Sequence, residues 1–432
     1  MKVNNPNEKY NSKPNPKLFN SDINKELEGK TYYAYLDTVE RINRQYHIRF
    51  DCIIKNDADN ISIDKQTILD FPSIVIDITG EQNFIRGKFN YNNLHLLESK
   101  WTLITTSIED TTILQEQFFN FLKVGDDLSI GNYNLESITL FRDMDSASRE
   151  KVNEIIRATT LEESTEKEVT DFLDNIKLDS FSYLNVYNVG QGNCIALVDI
   201  QNNPLLYNDV GGGFGTNKKT YPKVFKLCTK NNPPVLLSHW DLDHIQTAVF
   251  DDTILNSKWL VPIQGGLSNT AIHIALELQN RGNLICWNNK LTHYNFSGHR
   301  VSKCIGNQNN KNNSGLALFI NYDNDEYVLL PGDASYTKIT NYPVTKFIGL
   351  VASHHGSKSS ISGVPKPISE KSMLVYSFGE LNTYGHPTAR NSYLRANWTN
   401  FSETKNGNIA MKYKPKSLKC SCNNTLNVKQ HF

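Results

Sequence analysis

Residues 236–246, LLSHWDLDHIQ, contain two histidines and two aspartates within six positions, directly after an apolar run. In an extended loop, alternate side chains face the same way, so His239, Asp241 and Asp243 are expected to converge. His244 then turns toward a second point. Imidazole and carboxylate groups together suit Zn or Mn. The spacing therefore predicts a centre at which two metal ions share one cluster of side chains.

Similar residue types follow other apolar runs later in the chain. Asp209 follows PLLYN, Asp333 follows EYVLLPG, and His386 comes shortly after MLVYSFG. His354 and His355 follow FIGLVAS. Loops at strand ends commonly carry function, because a rigid scaffold holds them in place. These side chains are therefore expected to join the cluster.

Four segments of different composition make up the 432 residues. Residues 1–30 are rich in Asn, Lys and Pro, which predicts a disordered or draped tail. Residues 31–143 contain short β-branched and aromatic runs and predict a small β-rich domain of unknown role. Residues 144–180 have apolar positions at helical spacing, which predicts a helical connector. Residues 181–432 alternate apolar strand candidates with polar segments, as in an α/β domain.

The charged residues divide unequally between the two halves of the chain. Residues 1–180 hold 10 more acidic than basic residues, and residues 181–432 hold 10 more basic than acidic residues. Positive charge around the predicted cluster favours a polyanionic substrate, although opposite charges also help two halves to dock.

The lack of recognisable targeting signals and the scattered cysteines predict a cytoplasmic protein. No apolar run approaches the roughly 18 to 20 residues that a membrane span needs, and the N-terminus lacks the apolar core of a signal peptide. The seven scattered cysteines do not form a disulfide framework. The pair Cys420 and Cys422 has no second pair nearby, so we expect inert thiols.

Seven short motifs follow one another along the chain: NVGQGNCIALV, YNDVGGG, SHWDLDH, NNKNNSGLALFI, LLPGDAS, SHHGSKSS and NTYGHPT. In this order they resemble one branch of the metallo-β-lactamase fold, the nuclease-like domain of ComEC-type DNA-uptake proteins. The resemblance covers residues 181–432 and implies an αββα sandwich, preceded by the β-rich domain and the helical connector.

The resemblance implies a role for each candidate residue. His239 and Asp241 would hold one divalent ion, Asp243 and His244 the other, and Asp333 would bridge them. His354 or His355 would complete the second site, and the motif leaves open which one does. Asp209 would orient a metal-binding side chain. Asp243 would take part in catalysis as well as bind metal.

The same resemblance implies substrate contacts. His386 would contact the scissile phosphate or protonate the leaving oxygen, while Ser357 and Lys358 would bind phosphate. Two metal ions would activate water and neutralise charge on the phosphoryl oxygens. For His386, a buried or helix-capping role before Pro387 is the alternative.

Some positions depart from the family pattern. Asn188 and Asn193 stand where this branch usually has aspartate, and residues 245–247, IQT, replace a usual Gly-Gly. Many relatives also have a further histidine at the first site. Here His293 and His299 are the available candidates, and a surface or hydrogen-bonded role is expected for them. The first metal is therefore expected to be weakly held.

The expected function is a metal-dependent phosphodiesterase that cleaves nucleic acid, most simply a DNase. The alternatives are a hydrolase of small phosphodiesters, such as a cyclic nucleotide or a phosphocholine ester, and a non-catalytic metal-binding sensor. A freestanding nuclease needs control, so a protein partner is expected to bind residues 31–177, within a defence system against foreign DNA.

Overall fold

The computed structural model describes most of the chain: residues 30–42, 44–89, 98–106, 118–123, 133–134, 138–141, 144–323, 326–412 and 428–431. The expected tail, apart from Lys30, and the pair Cys420 and Cys422 lie outside the described residues. The described cysteines are free and buried: Cys52, Cys194, Cys228, Cys286 and Cys304.

A seven-stranded antiparallel sheet forms the N-terminal half. Its strands are β1 (Thr31–Ile42), β2 (Gln45–Ile54), β3 (Ile74–Glu81), β4 (Trp101–Thr106), β5 (Phe118–Lys123), β6 (Tyr133–Asn134) and β7 (Ile138–Phe141). They pair in the order β6-β5-β3-β2-β1-β4-β7. Their residues are largely β-branched and aromatic, which favours extended backbone. Short helices α1 (Lys55–Asp59) and α2 (Gln82–Phe89) follow β2 and β3.

The two faces of this sheet have different neighbours. One face builds a core of its own, which includes Ile48, Phe50 and Ile76. On the other face, Tyr33 and Tyr35 belong to a core that continues into the C-terminal half of the chain. One hydrophobic core thus spans both halves.

Beside these aromatic rings the second face becomes polar. The pairing of β1 with β2 shifts register between Leu36 and Thr38, and Asp37 and Glu40 both contact residues of the C-terminal half. An irregularity of this kind changes which side chains share a face. The polar end of the sheet therefore lies over the loops of the C-terminal half.

Two helices connect the halves, α3 (Ser146–Thr159) and α4 (Glu166–Asp174). Helix α4 begins with a capping box between Thr165 and Glu168. Its residues Val169, Phe172 and Leu173 are buried in a core of the C-terminal half. Helix α4 therefore packs as part of that half.

Two large sheets organise the C-terminal half. The strands of this half are β8 (Tyr183–Val186), β9 (Cys194–Val198), β10 (Pro204–Val210), β11 (Val235–Leu236), β12 (Trp259–Val261), β13 (Leu284–Cys286), β14 (His293–Phe296), β15 (His299–Lys303), β16 (Leu316–Asp323), β17 (Glu326–Leu330), β18 (Lys346–Phe347), β19 (Gly349–Val351), β20 (Lys366–Pro367), β21 (Met373–Tyr376), β22 (Asn400–Glu403), β23 (Asn408–Lys412) and β24 (Val428–His431). The first sheet has the order β13-β12-β11-β10-β9-β8-β23-β24 and the second has the order β14-β15-β16-β17-β19-β21-β22, while β18 pairs with β20.

The two large sheets share a core, which joins Ile195 and Leu236 of the first to Leu318 and Val375 of the second. Helices lie outside these sheets, and the chain has the mixed α/β architecture that the sequence predicts. The helices are α5 (Leu242–Phe250), α6 (Asn269–Asn280), α7 (Lys311–Ser314) and α8 (Arg390–Arg395). Short 3₁₀ turns are Thr67–Asp70, Gly215–Thr220, Asp252–Asn256, Tyr336–Lys338, Ser353–Gly356, Lys358–Ser360 and Thr404–Asn406. Among the described helices, none has both the length and the apolar character needed to cross a membrane.

Candidate metal centre

The loop after β11 and the first turn of α5 together supply four of the candidate ligands, His239, Asp241, Asp243 and His244. Helix α5 begins at Leu242, with Asp241 as its N-cap, and the His244 amide donates to the Asp241 carbonyl at 2.9 Å. The expectation of an extended loop throughout this motif is therefore wrong, because Asp243 and His244 lie in the first helical turn. The loop still brings His239 Nε2 to within 3.1 Å of Asp241 Oδ2.

A first group of possible metal ligands consists of His239, His244 and Asp333. His244 Nε2 lies 3.1 Å from Asp333 Oδ1, and His239 Nε2 lies 3.8 Å from Asp333 Oδ2. All three side chains are buried, and both Nε2 atoms are without a hydrogen-bond partner in the described structure. Buried polar atoms are rarely left unpaired in native proteins, so a cation between these atoms would complete the arrangement.

A second group consists of Asp243, His244 and His355. His355 Nε2 lies 3.1 Å from Asp243 Oδ2, and its Nδ1 donates to the Ser377 carbonyl at 2.7 Å. This hydrogen bond leaves the Nε2 lone pair facing Asp243. The structure thus brings His355 into the second group.

The other histidine of the doublet faces a different neighbour. His354 Nε2 lies 2.8 Å from Glu40 Oε1 and 3.5 Å from Asp333 Oδ2. Both histidines have a positive φ, 49° for His354 and 54° for His355, a backbone conformation that is uncommon outside glycine. Successive left-handed residues splay the two rings toward different points of the cluster.

Asp209 holds this cluster from behind. It is fully buried, and it accepts hydrogen bonds from the Ser238 amide at 2.6 Å and the Ser238 hydroxyl at 2.8 Å. Its Oδ2 also lies 2.7 Å from His244 Nδ1. A proton on Nδ1 leaves His244 Nε2 free to bind a cation. The geometry agrees with the positioning role that the resemblance implies.

The departures from the family pattern have local explanations. Asn193 Nδ2 donates to Asp209 Oδ2 at 3.0 Å, so this amide supports Asp209 where the family has a carboxylate. Asn188 Oδ1 instead accepts from the Gly190 amide at 3.2 Å. In the segment that replaces Gly-Gly, Thr247 Oγ1 donates to the Gly211 carbonyl at 2.7 Å.

Gly211 lies directly against the loop and first helical turn that carry the candidate ligands. A Cβ atom at this position would lie 1.7 Å from the Asp243 carbonyl oxygen. Only glycine permits this close approach between the end of β10 and the loop. The glycine that follows Asp209 and Val210 is thus part of how the cluster is assembled.

His386 is buried at the edge of the cluster. Its ring stacks on His355, with centroids 5.9 Å apart, and its Nε2 lies 3.8 Å from Glu40 Oε2. Gln191 Nε2 donates to His386 Nδ1 at 3.1 Å, a pairing that places the ring proton on Nε2. Burial lowers the pKa of His386, so the neutral ring is favoured.

Ser357 and Lys358 are not directed at the cluster by their described contacts. The Ser357 hydroxyl lies 2.8 Å from Ser359 Oγ, which in turn lies 3.1 Å from His354 Nδ1. Lys358 is exposed. The structure therefore places Ser357 in a chain of hydroxyl groups behind His354.

The two further histidines lie away from the cluster, on β14 and β15. His299 Nδ1 accepts from the Asn321 amide at 3.1 Å, and burial lowers its pKa to about 4. His293 Nδ1 lies 3.2 Å from Thr292 Oγ1. The His299 contact joins β15 to β16, and the His293 contact is with the preceding residue.

Two residues that contact the cluster, Glu40 and Lys311, were not identified from the sequence. Glu40 lies in β1 within an apolar alternation, and Lys311 lies among asparagines at the start of α7. Lys311 Nζ pairs with Asp37 Oδ1 at 2.7 Å and also with Asp241 Oδ1. A charged residue at an inward position of a strand is the signal that could have identified Glu40.

The electrostatics of the cluster favour positive charge. Burial alone would lower the pKa of His354, but Asp333 and Glu40 outweigh it and raise that pKa to about 10. Burial likewise opposes ionisation of Asp333, yet the neighbouring histidines His354 and His244 hold its pKa well below the usual range. Buried carboxylates need compensating cations, and the same field would attract a divalent metal ion.

Comparison with models of known protein families gives no match for this chain, and comparison with curated proteins gives none either.

Proposed function

We propose that this chain is a divalent-metal-dependent phosphodiesterase of the metallo-β-lactamase fold, and that its substrate is nucleic acid, most simply DNA. The observation that carries the proposal is the convergence of His239, Asp243, His244, Asp333 and His355 into two adjoining groups of possible metal ligands. The ordered motifs of the ComEC-type branch support the choice of phosphodiester over other substrates of this fold.

The residues fit a divalent ion. Unpaired Nε2 atoms of His239 and His244 face the Asp333 carboxylate within a buried cluster, and this set of nitrogen and oxygen atoms suits Mn or Zn. When bound, such an ion lowers the pKa of water and polarises a phosphoryl oxygen. Asp209 would fix the orientation of His244 for this role.

His386 is suited to binding a phosphoryl oxygen. With Nδ1 accepting from Gln191, the proton lies on Nε2 and is directed toward the side of the cluster that Glu40 occupies. A neutral ring with this tautomer can donate a hydrogen bond to a phosphate, and it has no second proton to give to a leaving oxygen. We therefore favour phosphate contact over protonation among the two roles that the resemblance implies.

The polar end of the N-terminal sheet covers this centre. Glu40 extends from β1 to His354 and His386, and the cluster histidines are almost wholly buried. A carboxylate at this point resembles a phosphate in charge and in hydrogen-bond acceptors. In our proposal this sheet regulates the enzyme: the protein alone cleaves nucleic acid at a basal rate, and a protein partner that binds residues 31–177 displaces Glu40 and raises that rate.

The burial of the centre also favours a second candidate function. A small phosphodiester, such as a cyclic nucleotide, needs less opening of the sheet than a DNA strand does. The excess of basic residues in residues 181–432 favours the polyanion instead.

A cleavage panel separates these candidates. Full-length protein stripped of metal is incubated with plasmid, single-stranded DNA or cyclic nucleotides, each with and without added Mn or Zn. We expect DNA cleavage that requires the added metal. Hydrolysis of cyclic nucleotides with DNA left intact would select the second candidate, and no hydrolysis by either wild-type protein or Glu40→Gln would contradict both.

Glu40→Gln is expected to raise the rate of DNA cleavage by about 10-fold, which corresponds to about 1.4 kcal/mol. The substitution keeps the size of the side chain but removes the charge that competes with phosphate for His354 and His386. Initial rates at saturating metal measure the effect. Glu81→Gln, an exposed glutamate at the end of β3 in the same sheet, serves as the matched control. An unchanged or lower rate in Glu40→Gln would count against regulation through this contact.

A further inference from the structure

Lys311 is a buried lysine at the edge of the candidate metal centre. It is 3% exposed, and its ammonium lies 5.0 Å from the centroid of the Tyr35 ring. Its two carboxylate partners come from different halves of the chain, Asp37 from β1 and Asp241 from the metal-binding loop. A buried ammonium is costly unless it is paired, so these contacts fix its position.

Lys311 forms an ion pair with Asp241, the residue that the motif resemblance assigns to the first of two metal sites. Asp241 directs Oδ2 toward His239 at 3.1 Å and Oδ1 toward Lys311. Its carboxylate charge is thus already matched by an ammonium. A divalent ion bound to Asp241 would lie beside that ammonium, and like charges in a buried site repel strongly.

The two groups of possible ligands also share one atom. Both contain His244, whose Nδ1 is engaged by Asp209, so only Nε2 is available. A single imidazole nitrogen has one lone pair and binds one ion. Asp241 belongs to neither group. The possible ligands of both groups therefore surround one point, next to His244 Nε2.

We propose that the centre holds a single divalent ion tightly, next to His244 Nε2, and that the Lys311 ammonium supplies the second positive charge in place of a first metal. This inference rests on the proposed function, because it concerns the same centre. It departs from the two-ion arrangement that the motif resemblance implies. Within the described part of the chain, neither His299 nor His293 joins the groups of possible ligands, which agrees with a first site that lacks a further histidine.

Metal stoichiometry tests the proposal without reference to activity. Full-length protein is stripped with a chelator, titrated with Mn, and separated from free metal, and bound Mn per chain is measured by elemental analysis and native mass spectrometry. We expect one ion per wild-type chain, with any second ion bound about 100-fold more weakly, and the electron paramagnetic resonance spectrum of an isolated Mn ion.

Lys311→Met, which keeps the length of the side chain and removes its charge, is expected to let a second ion bind at Asp241, because that carboxylate then loses its ammonium partner. Lys338→Met, a lysine outside the cluster, is the matched control and should bind one. Two ions of similar affinity in the wild type, or a folded Lys311→Met protein that still binds one, would overturn the proposal. No bound ion in the wild type would instead overturn the proposed function. The wild-type titration stays decisive if Lys311→Met does not fold.

Discussion

Asp243→Ala is expected to lower metal-dependent cleavage by about 10³-fold or more, which corresponds to about 4 kcal/mol of lost transition-state stabilisation. The side chain lies between His355, at 3.1 Å, and His244, at 4.0 Å. Its loss removes a negative ligand from the centre, and the metal supplies several kcal/mol of charge stabilisation in this class of reaction. The rate of plasmid cleavage at saturating Mn measures the effect.

The control for Asp243→Ala is Asp179→Ala, an exposed aspartate at the start of the C-terminal half. Circular dichroism and thermal unfolding should show that both variants are folded, because the backbone carbonyl of Asp243, which accepts from the Asn193 and Gly212 amides, is kept. Undiminished cleavage by a folded Asp243→Ala protein would exclude this cluster as the active centre.

Asp209→Ala is expected to reduce the free energy of unfolding by about 3 to 5 kcal/mol, the cost of breaking a buried charged network. The carboxylate accepts hydrogen bonds from Ser238 and Asn193 and faces His244 Nδ1, all at 3.0 Å or less. Its φ of 59° adds a backbone penalty, because aspartate and asparagine adopt this conformation more readily than alanine. Urea denaturation of the metal-free protein measures the loss.

The same substitution should weaken Mn binding by about 10- to 100-fold, as expected when the support of a ligating histidine is removed. Asp209→Asn is the matched variant, because it keeps the left-handed backbone and part of the hydrogen bonding. We expect it to lose less stability than Asp209→Ala and to bind Mn with an intermediate affinity. Wild-type stability in both variants would show that Asp209 does not organise the loop.

Much of the fold could be predicted from local patterns. The apolar runs CIALVDI, PVLLS and EYVLL contain β9, β11 and β17, because period and residue type largely decide whether a short segment is extended. The extended loop predicted for residues 239–244 was wrong from Leu242 onward, where α5 begins. Asp241 can end a loop or cap a helix, and the packing of Ile245 and Ala248 into the core decides between the two. The layers of the two large sheets depend on non-local pairing, which no single segment encodes.

The centre itself was partly predictable. His239, Asp243 and His244 were identified from their spacing within one short motif, and Asp333 and His355 from their places after later strands. The directions in which the His354 and His355 rings point could not be predicted from the sequence, because they depend on the left-handed backbone conformation of both residues. The contacts of Glu40 and Lys311 could not be predicted from the sequence either. Each contact joins residues that are far apart in the chain, such as Lys311 and Asp37.

The hydrophobic core that Tyr33 and Tyr35 share with the C-terminal half has a mechanical consequence. The composition of the chain changes near residue 180, but the hydrophobic core does not end there. Separating the two halves would expose the apolar surface that each buries against the other. In our proposal, access to the centre therefore needs only a small movement of the polar end of the sheet, which carries Glu40, while Tyr33 and Tyr35 stay packed in the shared core.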